Sequence, residues 1–242
     1  MPLKTPFTLV PAAAPVTTPT TKFGGRPVWI APARWPAAPS TGGPMRFLAQ
    51  IALNDRLFPG GGGGMMAYVF FDDAAEPLYG DGFGVVVQAP GRHHGGNVPD
   101  GAFLPAATGP TLFALDDERR EVPAEFDAVI GPEIDEPVVP LEERYRRRDL
   151  DHSAGFAFSR PDLAGNKIGG QPLYIEGLDT PPDTFTDDGL RLLLQLAPER
   201  GYWAPGLRRN FLPFHLELGE FGILTVFVSA DLTQARVHVQ QP

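Results

Sequence analysis

Apolar residues in this chain gather in short runs, each closed off by glycine, proline or charged residues. The runs at 45–53, 65–71, 84–89, 190–196 and 223–228 lack the three-to-four residue rhythm of an amphipathic helix. Unbroken runs of this length predict strands buried on both faces. Residues 235–240 alternate apolar and polar and predict an edge strand. A single segment, 140–151, reads as a helix. Proline stands near its start, Glu142–Arg146 and Glu143–Arg147 are favourable i,i+4 pairs, and Leu141 and Tyr145 share a face. The predicted class is therefore mainly β with minor α, an α+β fold.

The pattern also repeats. The block Lys22-Phe23-Gly24-Gly25-Arg26-Pro27-Val28-Trp29-Ile30 returns as Lys167-Ile168-Gly169-Gly170-Gln171-Pro172-Leu173-Tyr174-Ile175. At the same spacing, Phe47-Leu48-Ala49-Gln50-Ile51 returns as Leu192-Leu193-Leu194-Gln195-Leu196. A third block aligns Gly64 with Gly222 and Tyr68 with Val226, with a longer loop between. Blocks in one order predict two copies of one unit. The boundaries that follow are a proline-rich leader at 1–21, unit one at 22–114, an acidic connector with one short helix at 115–154, and unit two at 155–242. Each unit alone is small for a stable core. The two β-rich halves are therefore expected to face each other about a pseudo-two-fold axis.

Composition sharpens this picture. Glycine and proline number 28 each, which favours short strands and frequent turns. There are no cysteines, so disulfides and thiolate metal sites are ruled out. No apolar run reaches the roughly 18 residues of a membrane span, and the N-terminus has no secretory signature, so a cytoplasmic protein is expected. The net charge of −9 is concentrated: eleven acidic residues face only Arg119 and Arg120 between Asp116 and Glu143. Such a surface disfavours nucleic acid. It either attracts a basic protein, with Asp116, Asp117 and Glu118 foremost, or is simply solvated.

Candidate chemistry is sparse. Adjacent glycines at Gly24-Gly25 and Gly169-Gly170, each followed by proline, form either a tight turn feeding a strand or an anion-binding loop of backbone N–H groups. Gln50 and Gln195 are polar residues inside apolar runs at matching positions. Each either pins a neighbouring turn or lines a cleft between the units, for which Gly24, Gly25, Gly169 and Gly170 are candidates as well. Trp35, Tyr202 and Trp203 lie beside loops and are interface candidates. Adjacent residues on a strand point to opposite faces, so His93-His94 is a poor chelating pair, and no metal is expected. No nucleophile motif, dinucleotide fingerprint or phosphate loop is present, so no cofactor and no catalytic residue are assigned.

The repeated blocks, together with Trp35-Pro36, Pro44-Met45-Arg46-Phe47-Leu48-Ala49-Gln50-Ile51 and Met66-Ala67-Tyr68-Val69-Phe70-Phe71, resemble the bacterial YwqG-like family. The resemblance extends to 222–232 and covers most of the chain in order. It implies a duplicated, β-rich fold and no particular reaction. Relatives encoded near secreted-toxin genes add a toxin-neutralising role to what it implies. The expectation is a non-enzymatic interaction module for a basic protein such as a toxin. The alternatives are a small-ligand or peptide binder using the cleft between the repeats, and an enzyme of unknown reaction.

Overall fold

A computed structural model describes residues 2–59, 63–75, 80–98, 101–140, 145–147, 157–158, 163–175, 189–197, 213–216, 218 and 222–240. The strands are β1 (Leu3–Pro11), β2 (Lys22–Gly24), β3 (Trp35–Pro36), β4 (Arg46–Ala52), β5 (Met66–Phe71), β6 (Phe83–Ala89) and β7 (Arg92–Asn97). They continue as β8 (Phe103–Leu104), β9 (Phe113–Leu115), β10 (Glu121–Pro123), β11 (Glu125–Ile130), β12 (Ile134–Asp135) and β13 (Tyr145–Arg147). The last six are β14 (Ala157–Phe158), β15 (Lys167–Gly169), β16 (Tyr174–Ile175), β17 (Arg191–Leu196), β18 (Ile223–Val228) and β19 (Ala235–Gln240).

Most of these strands belong to one sheet, ordered β19-β18-β17-β15-β1-β11-β2-β4-β5-β6-β7, with β12 extending the edge of β11 alongside β1. The order mirrors itself about the β1–β11 pair: β2, β4, β5 and β6 on one side match β15, β17, β18 and β19 on the other. The chain exchanges strands between its repeats. The opening strand β1 pairs with β15 of the second repeat, and β11 from the acidic connector pairs with β2 of the first. The sheet then curls until its ends nearly meet. At that seam Gly96 bridges Gln234, and the Gly96 N–H donates to Thr233 O at 3.0 Å.

One expectation is corrected here. The fold is nearly all β, not α+β with a minor helix. The repeats join edge to edge in a nearly closed, barrel-like sheet. Among the described residues helical structure amounts to the 3-10 turn Gly80–Gly82 and single 3-10 positions at Gly101 and Leu163. Within the segment expected to be helical, Tyr145–Arg147 is a strand, pairing antiparallel with β14 and parallel with β16. An i,i+4 ion pair supports a helix by only about 0.2–0.5 kcal/mol, so ladder pairing overrides it. The rest of 141–151 lies outside the described residues, as do 60–62 of the glycine-rich loop, Tyr202 and Trp203.

Strand pairing also corrects the third repeated block. Gln50 lies opposite Tyr68, and Gln195 lies opposite Thr225. Tyr68 therefore corresponds to Thr225, one residue away from the alignment read off the sequence. On a strand such a slip exchanges the two faces. The other repeat features agree with the new register. Each repeat carries a bulge between its equivalent strands, at Leu48 and at Leu193.

The long apolar runs are explained by burial on both faces. All six residues of β5 are buried. Phe7, Phe23, Leu48, Val69, Val85, Ile168, Leu194 and Val226 are part of the interior. On the outer face of the first repeat, Trp35, Phe47, Tyr68, Phe70 and Val86 form a second cluster under the 29–38 segment and Phe103. At the seam, Asp231 accepts hydrogen bonds from Ser229 Oγ, Thr233 N and Thr233 Oγ1, which hold its carboxyl at about 2. A carboxyl with a depressed folded value stabilises the fold above its unfolded value of about 3.9. That contribution fades as pH falls through 2. Asp231→Asn is therefore expected to flatten the acid limb of stability between about pH 4 and pH 2, as read by urea midpoints across that range; an unchanged limb would refute the seam's role in acid sensitivity.

Candidate functional site

The repeated glycine turns are built alike. Gly24 and Gly25 have φ of +66° and +63°, and Gly169 and Gly170 have +73° and +77°. Any Cβ is strained in this left-handed region. Space forbids one as well. A Cβ on Gly25 would lie 2.2 Å from the carboxyl carbon of Glu125, and one on Gly170 would lie 2.6 Å from Glu136 Oε2. Each turn thus packs against a carboxylate supplied by the acidic connector.

That carboxylate is paired with a buried lysine from the start of each repeated block. Lys22 is fully buried; its Nζ lies 2.6 Å from Glu125 Oε1 and also donates to Arg26 O at 2.6 Å and Val16 O at 3.2 Å. In the second repeat Lys167 Nζ lies 3.4 Å from Glu136 Oε1 and donates to Gln171 O. Glu136 also takes Lys4 Nζ at 2.7 Å and the Gln171 N–H at 2.7 Å. A buried charge is tolerable only when paired and hydrogen-bonded, and these are both. The anion at each turn is therefore one of the protein's own carboxylates.

The glutamines take up the next stretch of backbone. Gln50 accepts from Val28 N at 2.8 Å and donates to Thr20 O at 2.8 Å. Gln195 accepts from Leu173 N at 2.9 Å and donates to Gly165 O at 2.9 Å. Both side chains are fully buried, and neither lines the cleft described below. A second glutamine pair escaped the sequence reading. Gln88 accepts from Ala31 N and donates to Pro32 O, and its register equivalent Gln240 donates to Leu173 O. Its signal was different: Gln88 stands near the end of an apolar run and Gln240 at the end of an alternating one. Between the two glutamines of the first repeat, the Tyr68 hydroxyl donates to Val28 O and accepts from Ile30 N. Burial pushes that hydroxyl's pKa far up. A row of polar side chains thus pins the segment leaving each glycine turn to the sheet.

The interface candidates are placed differently. Trp35 is fully buried, with its indole N–H donating to Met45 O at 2.7 Å and its ring edge-on to Phe70. Asp116 and Glu118 pair with Arg120 at the tip of the β9–β10 hairpin, where Asp117 is exposed. Hydrogen bonds from Arg120, backbone first, hold the Asp116 carboxyl below its usual range. His94 Nε2 lies 2.7 Å from Asp231 O at the seam, and His93 packs edge-on to Phe103. Among the described residues no three His, Asp or Glu side chains are grouped to hold a metal. No helix among them is long and apolar enough to cross a membrane.

One cavity joins the repeats. It measures about 370 Å³ and lies between the loop following β4 and the second glycine turn. Arg56 and Leu57 come from the first repeat, and Gly169, Gly170, Arg191 and Leu192 from the second. Among the described residues its lining contains two arginines and no carboxylate. At its rim Arg56 is 75% exposed and paired with Glu133. Arg191 reaches across the repeats and donates from Nη1 to Pro59 O at 3.2 Å. Comparison of the whole chain with family models finds no match, and comparison with curated proteins likewise finds none.

Proposed function

We propose that this protein is a binding module whose cleft between the two repeats takes a small ligand. The observation that carries this reading is the cavity itself. A volume near 370 Å³, lined by apolar and polar groups in about equal share, falls within the usual size range for small-molecule sites. Binding is favoured over catalysis because the described residues of the lining are Arg, Gly, Gln, Pro, Leu and Phe, with no acid, general base or nucleophile among them. Of the residues first assigned to the cleft, Gly169 and Gly170 line it. A cytosolic setting suits a chain without cysteine.

A fragment screen on the isotope-labelled full chain tests the reading. Hits are expected to shift the amide resonances of Gly169, Gly170 and Leu192 together. Hits that scatter over the surface and spare these amides would overturn it.

The second reading is docking of a basic protein, of which a toxin is the concrete version suggested by the YwqG-like resemblance. It draws on the β9–β10 hairpin, where Leu115 and Val122 are 45% and 44% exposed beside Asp117, Glu118 and Glu121. It is the weaker reading because Glu125 and Glu136 are committed inside the fold and Glu133 is paired with Arg56. Reversing Asp116, Asp117 and Glu118 to lysine is expected to slow association with a basic partner and weaken its salt dependence. Unchanged association rates would remove this reading.

A further inference from the structure

The two repeats carry the same arginine in two different states. Arg46 and Arg191 open equivalent strands, opposite Phe71 and Val228. Arg46 is consumed by the fold. Its Nε and Nη2 meet Asp73 Oδ2 at 2.6 and 2.5 Å, its Nη1 donates to Thr111 O, and its guanidinium stacks over Phe113. Asp73 stands two residues beyond Phe71. The residue two beyond Val228 is Ala230, so the second repeat lacks that carboxylate. Arg191 is left with the single bond to Pro59 O among the described residues, and it faces the cleft.

An arginine left without its carboxylate is a fork of donors with spare capacity, and a carboxylate or similar planar anion matches that fork. Leu57, Leu190, Leu192 and Phe227 supply the apolar part of the lining, beside the glycine turn. The other cation of the lining, Arg56, is already neutralised by Glu133. Glu136 beneath the turn is more than matched, by the two cations Lys4 and Lys167. Among the described residues of the lining, Arg191 is therefore the cation with no carboxylate against it.

Resting on the binding role proposed above, we infer that the cleft selects a small organic monoanion with an apolar body, and that Arg191 takes its carboxylate. In effect the ligand supplies the group that Asp73 supplies to Arg46 in the first repeat.

The test is titration of the full chain with octanoate and with methyl octanoate, followed by calorimetry and by the Gly169 and Gly170 amides. Octanoate is expected to bind at least about tenfold tighter than the ester, a difference of about 1.4 kcal/mol. Ala230→Asp is expected to restore the missing ion pair and abolish that preference. Position 230 is exposed, so the added carboxylate is compatible with the surface. Arg191→Gln, as a second variant, is expected to remove the preference as well. Equal affinity for acid and ester, unchanged in both variants, overturns the inference while leaving the cleft reading intact. If neither compound moves the glycine amides, both fail.

Discussion

Glu136→Ala is expected to destabilise the protein by about 3–5 kcal/mol, the range for removing one member of a buried charge pair. The reason is what stays behind. The buried Lys167 ammonium loses the Glu136 carboxylate, Lys4 loses its contact with Glu136 at 2.7 Å, and the buried Gln171 N–H loses its acceptor. Lys167→Met is the informative companion: with Lys4 still opposite Glu136, the loss should be smaller. Urea unfolding of both variants checks this. A loss of only a few tenths of a kcal/mol for Glu136→Ala would mean that the turn does not depend on its carboxylate. Glu125 sits in the matching place under the first turn, and among the described residues it is the carboxylate that faces Lys22 there. Its removal should therefore cost stability by the same route.

The second large effect belongs to the glutamines. Replacing both Gln50 and Gln195 by leucine is expected to make the protein markedly less stable. In Gln50→Leu, Val28 N and Thr20 O lose their partners; in Gln195→Leu, Leu173 N and Gly165 O lose theirs. Each buried group left unpaired costs about 1–3 kcal/mol, against a typical total stability of about 5–15 kcal/mol. The apolar gain from leucine does not offset several such losses. Octanoate binding to whatever fraction remains folded should be unaffected, since neither glutamine lines the cleft. A double variant that is more stable and no longer binds would reverse both statements, because it would place the glutamines in the site.

The sequence made the strands legible because their apolar runs are long and cleanly bounded. The strands expected at 45–53, 65–71, 84–89, 190–196, 223–228 and 235–240 all exist, within a residue or so at each end. It also made the turns legible, since Gly-Gly-x-Pro and an embedded glutamine are costly features to keep twice without a structural use. Three things stayed hidden, each for a physical reason. Residues 145–147 carry helical charge spacing, but their partner is a strand near position 174, and no local pattern reports a partner that distant. The third repeat block slipped by one residue because loop glycines guided its alignment, whereas ladder pairing decides the true register. That slip also concealed the pairing of Gln88 with Gln240.

The acidic connector shows the limit most clearly. Composition counts its carboxylates but does not distinguish Glu125 and Glu136, which are inside the fold, from Asp117, which is in water. The distinction arises only when β11 inserts beside β2 and Glu136 reaches under the second glycine turn. The cleft is hidden for a related reason. Its walls come from residues near 56 and near 191, and only closure of the sheet brings Arg191 to Pro59 O.

A crystal structure of the full chain grown with octanoate tests the central claim most directly. The account predicts the ligand in the cleft between the repeats, its carboxylate against the Arg191 guanidinium and its tail against Leu57, Leu192 and Phe227. An empty cleft at saturating octanoate, with Arg191 turned to a carboxylate of the protein, would contradict it.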